Sequence, residues 1–390
     1  MRIAIDARDL SNTKTGLGNY INNLLKALAI VDKKNDYFYY VNNASKDYLD
    51  PSFDTSFQKC QMLGSHRRPL YSHFIGDLWE QFILPFDLKR LSIEIYHGTI
   101  GRLPFLKSNA DYIVTIPDLI PFSVPQNSTR KYRIYNKALL WESVHRANGI
   151  VAISNYTKED ILRLFNLSEK KIRVIHLGVD PNYKVLDKDL CKNYIRNKYF
   201  ILDEYVLFVG HVQLRKNLQR LVDAFAQVQK RIRSGHKLVL AGLKGIDSNK
   251  VVEFVEKIGL SKQVIFLGYI EDDDLPYLYN AASAFIFPSF YEGFGLPLLE
   301  AMACGVPVIA ANATSIPEVV GDAAELFDPM SVQDMSDKIE DILSDETLRE
   351  HLCKKGLERV KIFSWVKTAL DTLAIYEEIY REKHSNLAEV

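Results

Sequence analysis

Short runs of β-branched and aromatic residues punctuate the whole chain, and most are closed by Gly, Pro, Asn or Asp before a segment with helical spacing begins. "RIAI", "YFYYV", "IEIYH", "YIVTI" and "GIVAIS" fall in the first half, and "YVLFVG", "KLVLAG", "QVIFLG", "SAFIFP" and "VPVIA" in the second. Between them lie stretches such as "GNYINNLLKALAIV" and "NLQRLVDAFAQVQKRI", whose apolar residues recur at helical intervals. A strand that is apolar at almost every position must be covered on both faces, and helices between strands supply that cover. The pattern therefore implies an α/β protein with parallel sheets.

The alternation comes in two series. They separate near "KIRVIHLGVDPNYK", where a strand-like run meets Gly178 and then Pro181, and the hinge is expected around residue 176. A first domain is expected over 1–175 and a second over 176–365, since 390 residues are enough for two ordinary cores. The closing stretch "FSWVKTALDTLAIYEEIYREK" reads as an amphipathic helix with no strand after it. Over 366–390 it either caps the second domain or crosses back to join the first. Open α/β sheets hold ligands beyond the carboxyl ends of their strands, so two such domains facing each other would form a cleft. Chemistry is expected in the loops that follow strands.

Composition removes several classes of function. Lys plus Arg and Asp plus Glu balance at 49 each, so no net field favours nucleic acid, and a charged partner must meet a local patch. The four cysteines form no C-x-x-C pair and "MRIAIDARDL" has no apolar signal-like core, which suggests a reducing, cytoplasmic setting. No apolar run nears the roughly 20 residues that span a bilayer. Membrane contact is expected to be peripheral, at the inner face of the cytoplasmic membrane. The histidines lack metal-ligand spacing, so neither a metal nor another cofactor is expected.

The most informative loop is "YEGFGLPLLEAMACGVPVIA", which follows the strand "SAFIFPS". Glu292 falls in the loop, Gly293 and Gly295 allow close backbone approach, and Pro297 suits the first turn of a helix that carries Glu300 one turn in. Free amides at such a helix start favour a phosphate oxygen. Two carboxylates beside it accept hydrogen bonds from hydroxyls. A sugar joined through a diphosphate to a ribose satisfies both, with one glutamate for each ring. A second loop, "FVGHVQLRKN", places His211, Arg215 and Lys216 beyond "YVLFVG". Cations at a helix start oppose the dipole, whereas cations aimed at a departing diphosphate lower the barrier to its departure.

The stretch "FYEGFGLPLLEAMACGVPVIAANATSIPEVVGDAA" resembles the signature of glycosyltransferase family 4, which are retaining enzymes of the GT-B fold with a Glu, seven residues, Glu motif. The resemblance extends through "TGLGNY", "VAISNYTKEDI", "IHLGVD", "FVGHVQLRKNLQRLVDAF" and "FLGYIEDDDLPYLYNAASAFIFPS". It implies two Rossmann-like domains, the first binding an acceptor and the second a nucleotide sugar. By the resemblance Glu292 contacts the transferred sugar and Glu300 the ribose. The amides around Gly293, Phe294, Gly295 and Leu296 hold sugar and diphosphate, and backbone around Gly268, Tyr269 and Ile270 lies near the base. The family places an arginine right after the strand glycine and a lysine five or six residues later. Here Lys216 matches, His211 stands in the arginine position, and Arg215 is expected to supply the second cation.

Weaker signals lie in the first domain. "TKTGLGNY" lacks the third glycine of a dinucleotide fingerprint, so Gly16 and Gly18 are read as a glycine turn offering amides to a diphosphate. In related sequences the loop "TIPDLIPF" usually reads His-Asp, and here Pro117 replaces the histidine. Pro117 cannot act as a base. Either Asp118 or His97, in "YHGTIGRLP", takes over part of the contact to the transferred sugar, or the reaction does without it. The acids of "EDDDLPYL" are read as a helix cap rather than a metal site. "TRKYRIYNKALLWESVHRANG" and "HRRPLYSHFIGDLWEQFILPF" are open to two readings, an ordinary solvated or core-facing helix and a segment that lies on an anionic membrane.

The expected function is transfer of a hexose, mannose or similar, from a donor such as GDP-mannose to a hydroxyl of an oligosaccharide or lipid-linked glycan. The resemblance points to O-antigen, capsule or exopolysaccharide synthesis. The alternatives are an isomerase or hydrolase acting on a nucleotide sugar on the same fold, a dehydrogenase, and a non-catalytic sugar-binding module.

Overall fold

A computed structural model describes residues 1–10, 16–41, 57–61, 78–123, 130–232, 235–243, 245 and 248–388. The chain divides into two compact units, one of Met1–Gly178 with Trp365–Val390 and the other of Val179–Ser364. Each is built on a parallel sheet. In the first unit the strands are β1 (Arg2–Asp6), β2 (Asp36–Val41), β3 (Phe57–Gln61), β4 (Ile95–Gly98), β5 (Asp111–Ile116), β6 (Gly149–Ala152) and β7 (Ile172–Val174), in the order β3-β2-β1-β4-β5-β6-β7. The second unit holds β8 (Tyr205–Val209), β9 (Lys237–Ala241), β10 (Val264–Gly268), β11 (Ala284–Phe287), β12 (Val308–Ala311) and β13 (Ala324–Phe327), in the order β10-β9-β8-β11-β12-β13. Both units are therefore α/β, as the alternating runs imply.

Burial explains why these runs become strands. Ile3, Ala4 and Ile5 of β1, and Phe285, Ile286 and Phe287 of β11, are wholly buried, so both faces of each sheet are covered by helices. In both sheets the strand order reverses direction beside the first strand of the unit, between β1 and β4 and between β8 and β11. A crevice opens beyond the carboxyl ends of the strands at such a reversal.

Helix Trp365–Ala388 belongs to the first unit although it follows the second in sequence. Its Trp365 ring lies 6.4 Å from that of Tyr20 on helix Gly16–Val31. Thr368 donates to the carbonyl of His176 at 2.7 Å. A Cβ on Gly149 would come within 2.7 Å of Ile379, so only glycine lets the helix lie this close to β6.

Two features depart from the sequence expectations. Neither β3 nor β13 coincides with an apolar run of the sequence, and each lies at the edge of its sheet. The acids of "EDDDLPYL" were expected to cap the next helix, yet Asp274 makes no cap bond. Its carboxylate instead accepts from Tyr194 and Tyr199 and pairs with Lys198 at 2.6 Å, tying helix Leu275–Ala281 to helix Lys188–Tyr199. The charge goes to three donors rather than to a helix end. The glycine loop ahead of Gly16 and the stretch 66–77 of "HRRPLYSHFIGDLWEQFILPF" lie outside the described residues.

Candidate active site

The second unit gathers its candidate residues at the β8/β11 reversal. After β8 the chain turns at Gly210, whose φ of +152° suits glycine, passes His211 and forms a short 3₁₀ turn, Leu214–Lys216. After β11 it runs through Ser289 to Glu292 and enters helix Leu296–Ala303 at Gly295. The two loops meet directly, because the Phe290 N–H donates to the Arg215 carbonyl at 2.8 Å and the Arg215 guanidinium donates to the Tyr291 carbonyl at 3.1 Å.

Two cations converge on one oxygen. Lys216 Nζ lies 2.6 Å from Glu292 Oε1, and Arg215 Nη1 lies 2.8 Å from the same atom. Lys216 also sits 4.7 Å from the centre of the Phe287 ring, in cation–π contact. Burial by itself would raise the Glu292 carboxyl, but Lys216 and Arg215 outweigh it and hold the group at about 2. Lys216 moves the opposite way. Burial and the neighbouring Arg215 press it down, Glu292 restores only part, and its ammonium falls to about 8. One carboxylate is shared between two cations, and it does not make good the lysine's loss of water. His211 is lowered by burial and by the same two cations, which favours the neutral imidazole.

The glutamate loop is held from behind. The Glu292 N–H donates to Thr314 Oγ1 at 3.1 Å, and Ser315 donates to the carbonyls of Glu292 and Phe294, each at 3.0 Å. The Phe294 ring packs against Phe363 in the core, so only its backbone faces the loop. Gly295 has a φ of +115°, and a Cβ there would meet Leu298 at 2.9 Å. Leu296 opens the helix and Glu300 follows one turn in. Glu300 Oε2 accepts from the Tyr279 hydroxyl at 2.8 Å. Burial pushes the Glu300 carboxyl up to about 7, the Tyr279 bond opposes that shift, and Asp272 and Asp180 add to it. Gly268, with φ of +72°, ends β10 with open space around its Cα, followed by exposed Tyr269 and buried Ile270. Its carbonyl accepts from Gly242, and a Cβ on Gly242 would lie 2.1 Å from the Gly210 carbonyl. Glycines thus end three neighbouring strands where a ligand backbone could approach.

The first-unit candidates are spread differently. Gly16 and Gly18 sit in the first turn of helix Gly16–Val31, and a Cβ on Gly16 would meet nothing. Asp118, just beyond β5, accepts from the Ile120 N–H at 3.0 Å. His97 is wholly buried at the end of β4. Its Nδ1 is 2.6 Å from the Tyr376 hydroxyl and its Nε2 is 2.7 Å from Thr115 Oγ1, so both ring nitrogens are engaged within the unit. Burial presses this imidazole down to about 3 and keeps it neutral. His97 therefore anchors the C-terminal helix and has no nitrogen left for a ligand. Among the described residues, no three His, Cys, Asp or Glu side chains gather in a way that could hold a metal ion.

Sequence reasoning did not single out Tyr279, Thr314, Ser315 or Gly242. The last three each follow a strand, which was the available signal. Tyr279 lies inside a helix, and only the tertiary fold brings it to Glu300.

Comparison with known proteins identifies the family. The family model "Glycosyl transferases group 1" matches residues 194–359, and "Glycosyltransferase Family 4" matches residues 15–183. O-antigen chain mannosyltransferase B of Escherichia coli is 31% identical over 388 residues, which is 97% of this chain and 100% of that protein. The serotype-specific mannosyltransferase WbdA of Escherichia coli is 34% identical over 227 residues, 57% of this chain and 28% of WbdA. Among solved structures, sucrose-phosphate synthase from Thermosynechococcus elongatus superposes with a TM-score of 0.79 at 21% identity, covering 98% of this chain and 99% of its own. WaaG, a glycosyltransferase involved in lipopolysaccharide biosynthesis, superposes at 0.74 and 17% identity, covering 96% of this chain and 99% of its own. At such identities the two structures speak to fold.

Proposed function

The chain belongs to the group 1 glycosyltransferases, in the family of the O-antigen mannosyltransferases, and from that membership we propose that it moves mannose from a nucleoside-diphosphate donor such as GDP-mannose to a hydroxyl of a growing cell-surface glycan. The observation that carries this reading is the convergence of Lys216 and Arg215 on Glu292 Oε1 at the β8/β11 reversal. Two cations sharing one carboxylate leave a net positive site, which suits a diphosphate. The full-length likeness to a mannosyltransferase supports the choice of sugar.

In the proposed reaction the diphosphate takes Lys216 and Arg215 from Glu292, and the freed carboxylate accepts a hydrogen bond from a hydroxyl of the transferred sugar. Glu300 receives the ribose hydroxyls, and the amides from Gly293 to Leu296 steady the diphosphate and sugar. The bond from the anomeric carbon to the phosphate oxygen breaks as the bond to the acceptor oxygen forms on the same face. The acceptor proton passes to the departing phosphate oxygen, and the two cations stabilise the charge gathering there. This assigns both glutamates to holding hydroxyls and implies retention at the anomeric carbon. The fixed cations supply the charge that a divalent ion would otherwise bring. The acceptor, an oligosaccharide or lipid-linked glycan, is assigned to the first unit, where the Gly16–Gly18 turn keeps the role of offering amides to a diphosphate, Asp118 that of a candidate contact to the transferred sugar, and His97 is a positioning group.

A thermal-shift series across nucleotide sugars tests the donor, since a tight ligand raises the melting temperature by mass action. GDP-mannose is expected to give the largest rise. NMR of the product should show the donor's anomeric configuration. A larger rise with another nucleotide sugar would reassign the donor, and an inverted product would rule out the same-face route.

A further inference from the structure

Five residues other than glycine have a left-handed backbone among the described residues: Ser92, Asn166, Phe200, Asn217 and Thr314. Asn166, Phe200 and Asn217 each close a helical turn, and Ser92 follows helix Leu84–Arg90, donating its N–H to the Lys89 carbonyl at 3.0 Å. A left-handed residue is an ordinary way to end a helix. Thr314 ends none. It follows β12 with a φ of +51°, and its side chain is branched at Cβ, the kind least suited to that backbone. Such strain persists only where the surroundings over-determine it, and beside a site it points to a role there.

The turn that holds Thr314 is pinned on both sides. Asn312 donates its N–H to the Phe327 carbonyl at 2.7 Å, Ala313 to the Ala311 carbonyl at 2.9 Å, and Ile316 to the Ala313 carbonyl at 3.1 Å. Ser315 is wholly buried. The result is a clamp on Glu292. Thr314 Oγ1 accepts the Glu292 N–H at 3.1 Å and Ser315 Oγ donates to the Glu292 carbonyl at 3.0 Å, so two successive residues hold both backbone polar groups of the glutamate. Its carboxylate is held separately, by Lys216 and Arg215. Glycine would adopt the same φ without strain but has no atom to accept the bond. Threonine has one, and its branched Cβ restricts χ1 and keeps the hydroxyl aimed at the amide.

We propose that Thr314 is a positioning residue, whose hydroxyl holds the Glu292 backbone so that the carboxylate stays aimed at the transferred sugar once a diphosphate has drawn Lys216 and Arg215 away. The proposal rests on the reading of Glu292 as the sugar contact. In the free protein the two cations and the backbone clamp fix Glu292 together. With the donor in place the cations turn to the phosphates, and the clamp is what remains. A carboxylate that drifts then loses its sugar hydroxyl, because a hydrogen bond weakens steeply as its geometry departs from the ideal. The strain at Thr314 is thus retained for the loaded state.

Calorimetric titration of the full chain with GDP-mannose and with GDP tests this, beside the melting temperature of each variant. Thr314→Val keeps the branched Cβ and loses the acceptor, Thr314→Gly loses the acceptor and relieves the strain, and Thr314→Ser keeps the hydroxyl. The first two should each weaken GDP-mannose about tenfold, and Thr314→Ser by less than about threefold. GDP, which has no sugar for Glu292 to hold, should bind all three within about twofold of the parent. Thr314→Gly should melt above Thr314→Val although the two bind GDP-mannose alike. Affinities for GDP-mannose that follow the melting temperatures instead would reduce Thr314 to a structural role and overturn the proposal, as would equal losses for GDP and GDP-mannose. Glu292→Gln should weaken GDP-mannose by itself, and adding Thr314→Gly to it should cost nothing further; an additive loss overturns the proposal too. Full GDP-mannose affinity in Glu292→Gln would remove the sugar contact and the proposal with it. A weakened Glu292→Gln beside an unchanged Thr314→Gly would remove the proposal alone.

Discussion

Lys216 should set the alkaline limit of donor binding. Burial holds its ammonium down at about 8. Only the charged form attracts a diphosphate, so donor affinity should be level from about pH 6 to 8 and weaken above, as deprotonation competes with binding. Calorimetric titration across that range reads the bend. Lys216→Arg should move it out of range, and Lys216→Ala should remove it while lowering turnover about a hundredfold. Glu300 makes a prediction of opposite sign. Its carboxyl lies above the ordinary 4.5, at about 7, so its contribution to stability is full below 4.5 and is lost as pH rises through 7. Glu300→Gln keeps an acceptor for Tyr279 and avoids the buried charge. It should therefore melt higher than the parent at pH 8, with the gain shrinking toward pH 5, as scanning calorimetry would show. These acids and cations were legible in the sequence because glycines and a proline fixed the loops around them. That Arg215 and Lys216 reach the same oxygen was not legible, nor was the burial of both His97 nitrogens, since each depends on contacts between distant segments.

Among the elements, the loop from β11 into helix Leu296–Ala303 is held most tightly by its glycine. Gly295 combines a φ of +115° with a Cβ position 2.9 Å from Leu298. Gly295→Ala should cost about 1–3 kcal/mol in backbone strain alone and displace the amides beside Glu292. A lowered melting temperature together with weakened donor binding would confirm it, and an unchanged Kd would show that the loop relaxes without consequence. Element reading from sequence succeeded wherever an apolar run marks the strand, whether central or, as at β10, at an edge. The ten apolar runs are all strands, each with strand neighbours in its sheet. It failed at two edges. β3, "FQKCQ", sets Gln58 and Lys59 side by side and has no apolar run, and β13, "AELF", is buried fully only at Phe327. An edge position permits polar residues without requiring them, since β10 is also an edge strand and still carries an apolar run.

At the scale of the whole molecule the two units differ in continuity. Val179–Ser364 is one uninterrupted stretch, whereas the first unit needs Trp365–Val390 as well. Trp365, Ile375, Tyr376 and Ile379 are all buried in that final segment. Each large side chain contributes about 1.5–3 kcal/mol when buried, so four of them approach the whole margin of about 5–15 kcal/mol of an ordinary domain. A chain cut after Ser364 should therefore keep the melting transition of the second unit and lose that of the first. Residues 179–364 expressed alone should fold and still bind a nucleoside diphosphate without transferring sugar. Two intact transitions in the cut chain would show that the helix is dispensable. The division into two α/β units could be read from sequence, because each series of strands announces itself locally. The attachment of the last helix could not, since its apolar stripe fits either partner and tertiary contacts such as the close approach at Gly149 and the bond to His97 decide it. The same attachment governs how the protein is made. A ribosome delivers every strand of the first sheet before it starts on the second, yet the first sheet must wait, partly uncovered, until Ala388 has emerged. Synthesis and completion therefore run in opposite orders, and a transcript broken late yields a chain whose second half is sound and whose first half is exposed to proteases.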